Sequence, residues 1–309
     1  MSEIWAVFAE VHKAINLLQK TGEKMFADGA FASTVLDGCV LAADGQSYKV
    51  TLDDRTSVEQ AVVTATPTLW IIGNSWMATK LGKLGPRTIS DVQLYIMKQG
   101  TPPNPVTVEI QEGTDAGGPN GTVVGSSISK NAADIPLVGG VTWITFAAVN
   151  ATTELNKYYY LIVKTTDGDG SNCYGPYGIN GGYLEYFKST DGGSTWVKQA
   201  GYMQVGYKLT ATKATAGIVT QAIADTSLGK FSKAFHTVDA GEGAITIDVE
   251  DSSGNDLKAG VASEQDISDI VNPEQHTTFQ LKANLSRAAA ADDTPALKWW
   301  GISYIGDTV

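Results

Sequence analysis

The chain has 309 residues, of which 43% are apolar and 33 are glycine, and its formal net charge at pH 7 is -11. A chain of this length and apolar content forms about two domains with real cores, which excludes a wholly disordered protein. An acidic surface repels phosphate groups and anionic lipid, so the composition argues against a nucleic-acid partner and against membrane docking.

The first predicted element is a helix over residues 3–26, with Ser2 as its N-cap and Gly29 beyond its end. Apolar residues recur along it with the seven-residue period of a self-associating helix. The predicted oligomerisation stripe consists of Ile4, Val7, Phe8, Val11, Ile15 and Leu18. We therefore interpret residues 1–28 as an oligomerising and anchoring helix, with a homotrimer favoured over a dimer. The alternative is a helix that packs on its own domain.

The same segment does not have the pattern of a signal peptide. Glu3 and Glu10 lie where the apolar core of such a peptide would be, and no basic region or cleavage site accompanies them. No apolar run reaches the length that a membrane-spanning helix requires. We therefore expect a chain that uses no signal peptide and is not inserted in a membrane.

The remainder of the chain has the sequence pattern of β-structure. Residues 29–66 contain turn signals between short apolar pieces and are predicted to form a neck with one short hairpin. From 67 to 212, apolar residues alternate with period two, as in DVQLYIM and VTVEI, and Gly, Pro and Asp fill the turns. Residues 213–309 repeat the pattern in TFQLKANL. The predicted fold is all-β, with two β-sandwich, jelly-roll-like modules at 67–212 and 213–309 behind the N-terminal helix.

The sharpest local motif is STDGGSTW, which resembles the Asp-box of sialidases and related repeat proteins. Its defined residues are Ser189, Asp191, Gly193, Thr195 and Trp196. In such a hairpin the aspartate accepts bonds from the turn, the glycines supply positive φ, and the tryptophan packs beneath. The resemblance implies a structural hairpin remote from any catalytic centre. One copy, where propellers carry several, implies neither a propeller nor sialidase activity.

TDGDGSN is a candidate calcium loop, because it spaces Asp167, Asp169 and Ser171 like the first ligands of an EF-hand. Asn172 and Gly178 stand where an EF-hand requires glycine and glutamate, so an EF-hand is excluded. A calcium ion held in a sandwich loop is one interpretation, and a plain polar turn is the other.

Tyrosines are concentrated just after this loop. Tyr174, Tyr177 and Tyr183 are candidates for glycan binding, because exposed aromatic rings stack on sugars. Strand alternation turns half of such residues inward, so core packing is the alternative interpretation.

The sequence contains no recognisable set of catalytic residues. His12, His236 and His276 lie in different predicted elements, and Cys39 and Cys173 are far apart. The nucleophile elbow GxSxG and the nucleotide-binding glycine motifs do not occur. We therefore predict that the protein is not an enzyme and has no cofactor besides the candidate calcium.

Longer stretches resemble virion proteins of tailed viruses. The stretch from ISDVQLYIMKQGTPPNP through NKYYYLIVKTTDGDG to STDGGSTW looks like a jelly-roll module of virion and bacterial surface proteins. The stretch from AITIDVEDSSGNDL to TPALKWWGISY is similar to small β modules of phage tail and fibre proteins. The resemblance implies a virion structural protein, either a fibre, spike, baseplate or head-decoration subunit. Such a protein is assembled in the host cytoplasm and released by lysis.

On this hypothesis the N-terminal region binds copies of itself and other virion proteins, and loops of the sandwiches contact host glycans. One alternative is a carbohydrate-binding module of an extracellular assembly, which would bind glycans without turnover. The other is a glycoside hydrolase or lyase on a jelly roll, which would release sugar in a reaction that depends on one carboxylate.

Overall fold

The protein is almost entirely β-structure, as the alternation predicts. The computed structural model describes residues 24–31, 34–44, 47–54, 57–59, 71, 73–180, 185–199, 203–224, 228–270 and 278–306. Within these ranges every regular element is a strand, except one 3-10 turn at Ala132–Asp134. The predicted oligomerisation stripe of the N-terminal helix lies outside the described residues.

The predicted N-terminal helix is wrong at its carboxyl end. Lys24–Asp28 form a strand, β1, which pairs antiparallel with the last strand of the chain, from Lys24 opposite Tyr304 to Asp28 opposite Trp300. A five-residue segment is too short for its apolar period to distinguish helix from strand, and its partner lies at the other end of the chain. A truncation that removes only the N-terminal segment must therefore stop before Lys24.

The chain divides into two compact units in a way that differs from the predicted domains. Residues 1–54 and 214–309 form one unit, the discontinuous unit, and residues 55–213 form the other, the inserted unit. The second junction lies close to the predicted boundary at 212. Residues 29–54 of the predicted neck, however, belong to the discontinuous unit, because their strands pair within its sheets.

Strands are numbered in chain order. The discontinuous unit begins with β1, β2 (Val35–Asp37), β3 (Cys39–Asp44) and β4 (Ser47–Leu52). The inserted unit comprises β5 (Ser57–Glu59), β6 (Trp76–Lys83), β7 (Arg87–Gln99), β8 (Val106–Thr114), β9 (Gly118–Lys130), β10 (Thr142–Phe146), β11 (Ala151–Thr153), β12 (Tyr158–Lys164), β13 (Cys173–Pro176), β14 (Gly178–Asn180), β15 (Tyr186–Ser189), β16 (Val197–Lys198), β17 (Met203–Val205) and β18 (Tyr207–Ala211). The discontinuous unit resumes with β19 (Ala216–Ala224), β20 (Leu228–Asp239), β21 (Ala244–Asp251), β22 (Asp256–Lys258), β23 (Thr278–Ser286) and β24 (Ala296–Gly306).

Two antiparallel sheets enclose the core of the inserted unit. Sheet I has the order β10-β7-β18-β5, with β11 and β13 also paired to β7, and sheet II has the order β16-β15-β6-β12-β8-β9. β14 and β17 form a separate pair. The shared core includes Val92, Leu94, Ile96, Val106, Val108, Ile110, Leu161, Val163 and Leu209. Alternate residues of β7 and β8 are therefore buried as their period predicts, and the unit is sandwich-like.

The discontinuous unit is built in the same manner. Sheet III has the order β1-β24-β4-β3, with β20 also paired to β24, and sheet IV has the order β2-β19-β23-β21-β22. Their shared core includes Phe279, Leu281, Ala283 and Leu285 of β23 and Trp300, Ile302 and Tyr304 of β24. β3 and β4 form a hairpin, with Cys39 opposite Leu52. This is the short hairpin predicted for the neck, here placed within sheet III.

A series of hydrogen-bonded polar side chains crosses the core between sheets III and IV. Gln221 of β19 is 3% exposed and accepts a hydrogen bond from the Trp300 indole nitrogen at 2.8 Å. The Gln221 amide nitrogen donates to the Asp28 carboxylate at 2.6 Å. Strands β1 and β24 of sheet III are thus bonded through one buried amide to sheet IV.

Arg287 bonds to both points at which the chain leaves and re-enters the discontinuous unit. Its Nε and Nη2 donate to the Ala214 carbonyl at 3.0 and 2.7 Å, and its Nη1 donates to the Asp292 carbonyl at 2.9 Å. Nη2 also lies 2.7 Å from Asp54 Oδ1. Asp54 and Ala214 flank the inserted unit, and the Ala214 amide donates to the Asp53 carbonyl at 3.1 Å. One buried guanidinium therefore holds both crossing points.

The segment after β10 stores backbone strain that a glycine would relieve. Ala148 has a φ of 64°, although an L-residue with a side chain pays about 1–2 kcal/mol in this left-handed region. We expect Ala148→Gly to raise the free energy of unfolding by up to about 1 kcal/mol, because the strain removed exceeds the added chain entropy. Its neighbour Ala147, which lacks a positive φ, is the matched control, and Ala147→Gly should lower stability by about 0.5–1 kcal/mol. Urea unfolding of both variants checks this, and equal effects would refute the strain.

Candidate functional site

The Asp-box-like motif forms a closed turn between β15 and β16. The Ser189 hydroxyl donates to Asp191 Oδ1 at 2.7 Å and accepts from the Gly193 amide at 2.8 Å. The Thr195 amide donates to Asp191 Oδ1 at 2.9 Å, and its hydroxyl donates to Oδ2 at 2.7 Å. Gly193 has a φ of 86°, and a Cβ there would lie 2.5 Å from the Trp76 ring. Both conformation and space therefore require glycine at this position.

The turn covers the outer face of sheet II, opposite the core of the inserted unit. A second, smaller apolar cluster there consists of Ala78, Tyr160, Ile162 and Phe187, with Trp76, Tyr158 and Trp196 packed against it. The Tyr160 and Phe187 rings meet edge to face, with centroids 5.5 Å apart. Packing and turn closure thus account for all five motif residues in structural terms.

The turn should loosen at low pH. Hydrogen bonds from Thr195 and then Ser189 lower the pKa of Asp191 from 3.8 to about 2. The folded pKa lies below the unfolded one, so the stabilisation is fully present above 3.8 and is lost as the pH falls through about 2. We expect hydrogen exchange across 186–199, corrected for intrinsic rates, to accelerate in that window. In Asp191→Asn it should be fast already at pH 5 and show no such step.

The Asp167→Asn variant is the control for this experiment, because Asp167 lies outside the β15–β16 turn and its carboxylate accepts the neighbouring Gly168 amide. It should keep the wild-type pH profile. A wild-type profile in Asp191→Asn would contradict the role of the carboxylate.

The candidate calcium loop is a tight turn closed by its own hydrogen bonds. Asp169 and Asn172 exchange two backbone bonds of 3.2 Å, and Asp169 Oδ1 accepts the amides of Ser171 and Asn172 at 2.8 Å. These amides lower the pKa of Asp169. Asp169 Oδ1 is thus directed at the turn backbone, and Asp167 is exposed. Calcium binding at this turn stays a prediction, because the polar turn alone explains the geometry.

The three tyrosines predicted to bind glycans lie in different environments. Tyr174 is fully buried in the core of the inserted unit, and its hydroxyl donates to the Asn104 carbonyl at 2.8 Å. Burial raises its pKa to about 12. Tyr174 is therefore a core residue, and its prediction as a glycan contact is wrong, because β13 turns it toward the core. Tyr183 lies outside the described residues, and Tyr177 is half-buried.

Tyr177 belongs to a row of aromatic rings on the outer face of sheet I. Its ring lies 5.5 Å from that of Tyr95 at an interplanar angle of 74°, and Tyr95 lies 5.3 Å from Trp143 at 46°. Tyr95 of β7 is directly opposite Trp143 of β10. We call Tyr177, Tyr95 and Trp143 the aromatic row. All three side chains are half-buried.

A row of polar side chains runs beside the aromatic row on the same face. Gln93 of β7 lies opposite Thr145 of β10 and opposite Lys208 of β18. The Gln93 amide donates to the Thr145 hydroxyl at 3.2 Å, and Lys208 Nζ lies 4.4 Å from the Trp143 ring centroid. We call Lys208, Gln93 and Thr145 the polar row. The two rows are two residues apart along β7, or about 7 Å.

Sequence reasoning missed Tyr95 and Trp143, although the signal was present. The period of β7 that buries Val92, Leu94 and Ile96 also turns Tyr95 outward. Trp143 lies in a strand that is apolar on both faces, so only its register opposite Tyr95 reveals its side of the sheet.

Comparison with known proteins adds no relative, since no family model and no curated protein matches the chain. Among the residues that the structure describes, no helix is long and apolar enough to cross a membrane. In the same ranges no group of three or more His, Cys, Asp or Glu side chains is arranged to hold a metal ion.

Proposed function

We propose that this chain is a non-enzymatic structural protein of a tailed-virus particle, displayed as a fibre, spike, baseplate or head-decoration subunit. The resemblance of its two long stretches to virion modules suggests this role. The proposal that the protein is not an enzyme rests on how its buried carboxylates are bonded. Each of the two most buried glutamates is bonded within its own sheet, in the manner of a structural group.

Glu109 and Glu250 illustrate this use. Glu109, 1% exposed, accepts from Gln111 at 2.5 Å and from Ser127 at 2.7 Å and lies 2.7 Å from the Lys164 ammonium. Glu250, 2% exposed, has Gln280 and Lys282 as donors at 2.6 Å. The bonded partners offset the desolvation cost of such a buried charge and leave few of its lone pairs for a substrate. These groups suit a scaffold better than a reaction centre.

The two sandwich-like units would be jelly rolls, an interpretation supported by neighbours distant in sequence, such as β7 beside β18 and β6 beside β12. The N-terminal segment would hold copies together as a homotrimer and join them to other virion proteins. The particle would assemble in the host cytoplasm.

The test is incorporation into particles. Immunogold labelling and mass spectrometry of purified particles should detect the full-length chain at a fixed copy number. A chain lacking residues 2–20, which keeps β1 intact, should retain the β-type circular dichroism spectrum of the full chain. It should nevertheless be monomeric and absent from particles.

The full-length Tyr48→Ala variant, which alters an exposed aromatic residue of the discontinuous unit, is the control and should be incorporated normally. Absence of the full-length protein from particles would overturn the virion role. Normal trimers and normal incorporation of the truncated chain would overturn the anchoring role alone.

A carbohydrate-binding module is the second candidate function, and the aromatic row is the observation that favours it. Half-buried aromatic rings on an outer sheet face offer flat apolar surfaces on which the C–H face of a sugar can stack. This candidate predicts glycan binding by a protein that is absent from particles.

A further inference from the structure

We infer that the outer face of sheet I binds the neutral pyranose rings of a polysaccharide, through the aromatic row and the polar row. This inference rests on the proposed virion role and deepens it, because the sequence leads us to expect that such a protein contacts host glycans. It places the contact where Tyr177, of the tyrosine-rich stretch, adjoins Tyr95 and Trp143 on the strands of sheet I.

The aromatic row is not needed for the core of the inserted unit. The buried residues of β7 are Val92, Leu94 and Ile96, whose side chains point to the opposite face from Tyr95. Neither that core nor the smaller cluster on sheet II includes any ring of the aromatic row. Three adjoining rings that are half-buried on an outer face form a surface with apolar area to offer a ligand.

The polar row supplies hydrogen-bonding groups that a purely apolar ligand would not use. It presents an amide, a hydroxyl and an ammonium within about 7 Å of the rings. A pyranose has an apolar C–H face and a rim of hydroxyls, so it uses both rows at once, with the face on the rings and the rim on Gln93 and Thr145. A lipid chain or an aliphatic peptide would take water from the polar row without replacing the hydrogen bonds that this water made, which costs free energy.

The orientation of the rings selects the form of the polysaccharide. The rings are tilted by 46° and 74° to their neighbours, so they do not share one plane. A flat crystalline surface can contact only one of them at a time. A single soluble chain with a twist between successive sugars can stack on two or three. We therefore expect binding to dissolved polysaccharide and not to crystalline fibres.

Charge favours a neutral ligand. The polar row contains one cation, Lys208, whose ammonium lies over the Trp143 ring, and the chain carries a formal charge of -11. A polyanion would gain one contact and meet the repulsion of the whole surface. The cation–π contact holds the Trp143 indole beside Tyr95 and limits its loss of freedom on binding.

The experiment is affinity electrophoresis of the full-length protein in native gels. The gels contain hydroxyethyl cellulose, xyloglucan, glycogen or dextran, and dextran sulfate serves as the polyanion. Retardation is expected in at least one neutral gel. Trp143→Ala and Tyr177→Ala should each weaken that retardation roughly tenfold or more, the effect of losing one aromatic stacking contact. Tyr48→Ala should migrate as wild type.

Thermal unfolding establishes that each variant is folded, and the milder Trp143→Leu replaces Trp143→Ala if the alanine variant is not. Three results would overturn the inference: no retardation in any neutral gel, retardation that survives both aromatic substitutions, or retardation by dextran sulfate alone. Concentration-dependent self-association lost in Trp143→Ala would also overturn it, because the face would then bind a second copy. Particle incorporation of Trp143→Ala is measured separately and should be normal. Failure of the glycan-binding inference is therefore distinguishable from failure of the proposed virion role.

Discussion

Replacement of Arg287 by methionine is expected to lower the free energy of unfolding of the discontinuous unit by about 3–5 kcal/mol, the range for breaking a buried charged network. Arg287 is 7% exposed, and methionine fills much of its volume without donating any hydrogen bond. The substitution leaves the Ala214 carbonyl, in a residue that is 0% exposed, without its two guanidinium donors. It also removes the partner of Asp54 on the other side of the crossing.

The more conservative Arg287→Lys should recover only part of this loss. An ammonium keeps the charge but cannot place three nitrogens on three separate acceptors, as the planar guanidinium does. Lys258→Met is the matched control in the same unit, since its partner Asp269 is exposed and such a pair contributes only about 0–1 kcal/mol.

Urea unfolding measures these losses, and hydrogen exchange by mass spectrometry assigns them to a unit. Protection should fall first in the segments around residues 214–224 and 278–287. A loss for Arg287→Met no larger than that for Lys258→Met would show that the crossing is held by other contacts.

Gln221→Leu is expected to cost about 2–4 kcal/mol, although it replaces a buried polar residue by an apolar one of similar size. The Trp300 indole nitrogen and the Asp28 carboxylate each lose a partner, and Trp300 is 0% exposed. A donor stranded in an apolar core cannot recover its bond from water. The neighbouring Ala222 is exposed, so Ala222→Leu is the control and should change stability by less than about 0.5 kcal/mol.

A double-mutant cycle tests the cause of this loss. In a Trp300→Phe background the indole donor is gone, so Gln221→Leu should cost at least about 1 kcal/mol less than in the wild type. Strictly additive costs would mean that Gln221 stabilises the core by packing and not through Trp300.

Much of the fold followed from local alternation. The period of DVQLYIM, VTVEI and TFQLKANL identified the buried residues of β7, β8 and β23, because a strand buried on one face shows its period within a few residues. The turn at Asp191 was likewise predictable, since its acceptors and donors lie within seven residues of one another. The hairpin of β3 and β4 belongs to the same class of local feature.

Contacts between distant segments were not predictable in this way. Nothing in KMFAD indicates that Lys24–Asp28 pairs with β24, so the local pattern predicts a helix there and a neck over 29–66, of which residues 29–54 belong to the discontinuous unit. Tyr174 and Tyr177 have the same composition around them, yet one is a core residue and the other joins Tyr95 on an outer face.

By itself, then, the sequence determined that the protein is all-β, which residues of each long strand are buried, and how its tightest turns close. The tertiary structure alone decided that one unit is assembled from both ends of the chain, that Arg287 holds its two crossings, and which aromatic rings share a face. The physical reason is range: alternation and turn chemistry act over a few residues, whereas sheet order and register depend on partners that may be anywhere in the chain.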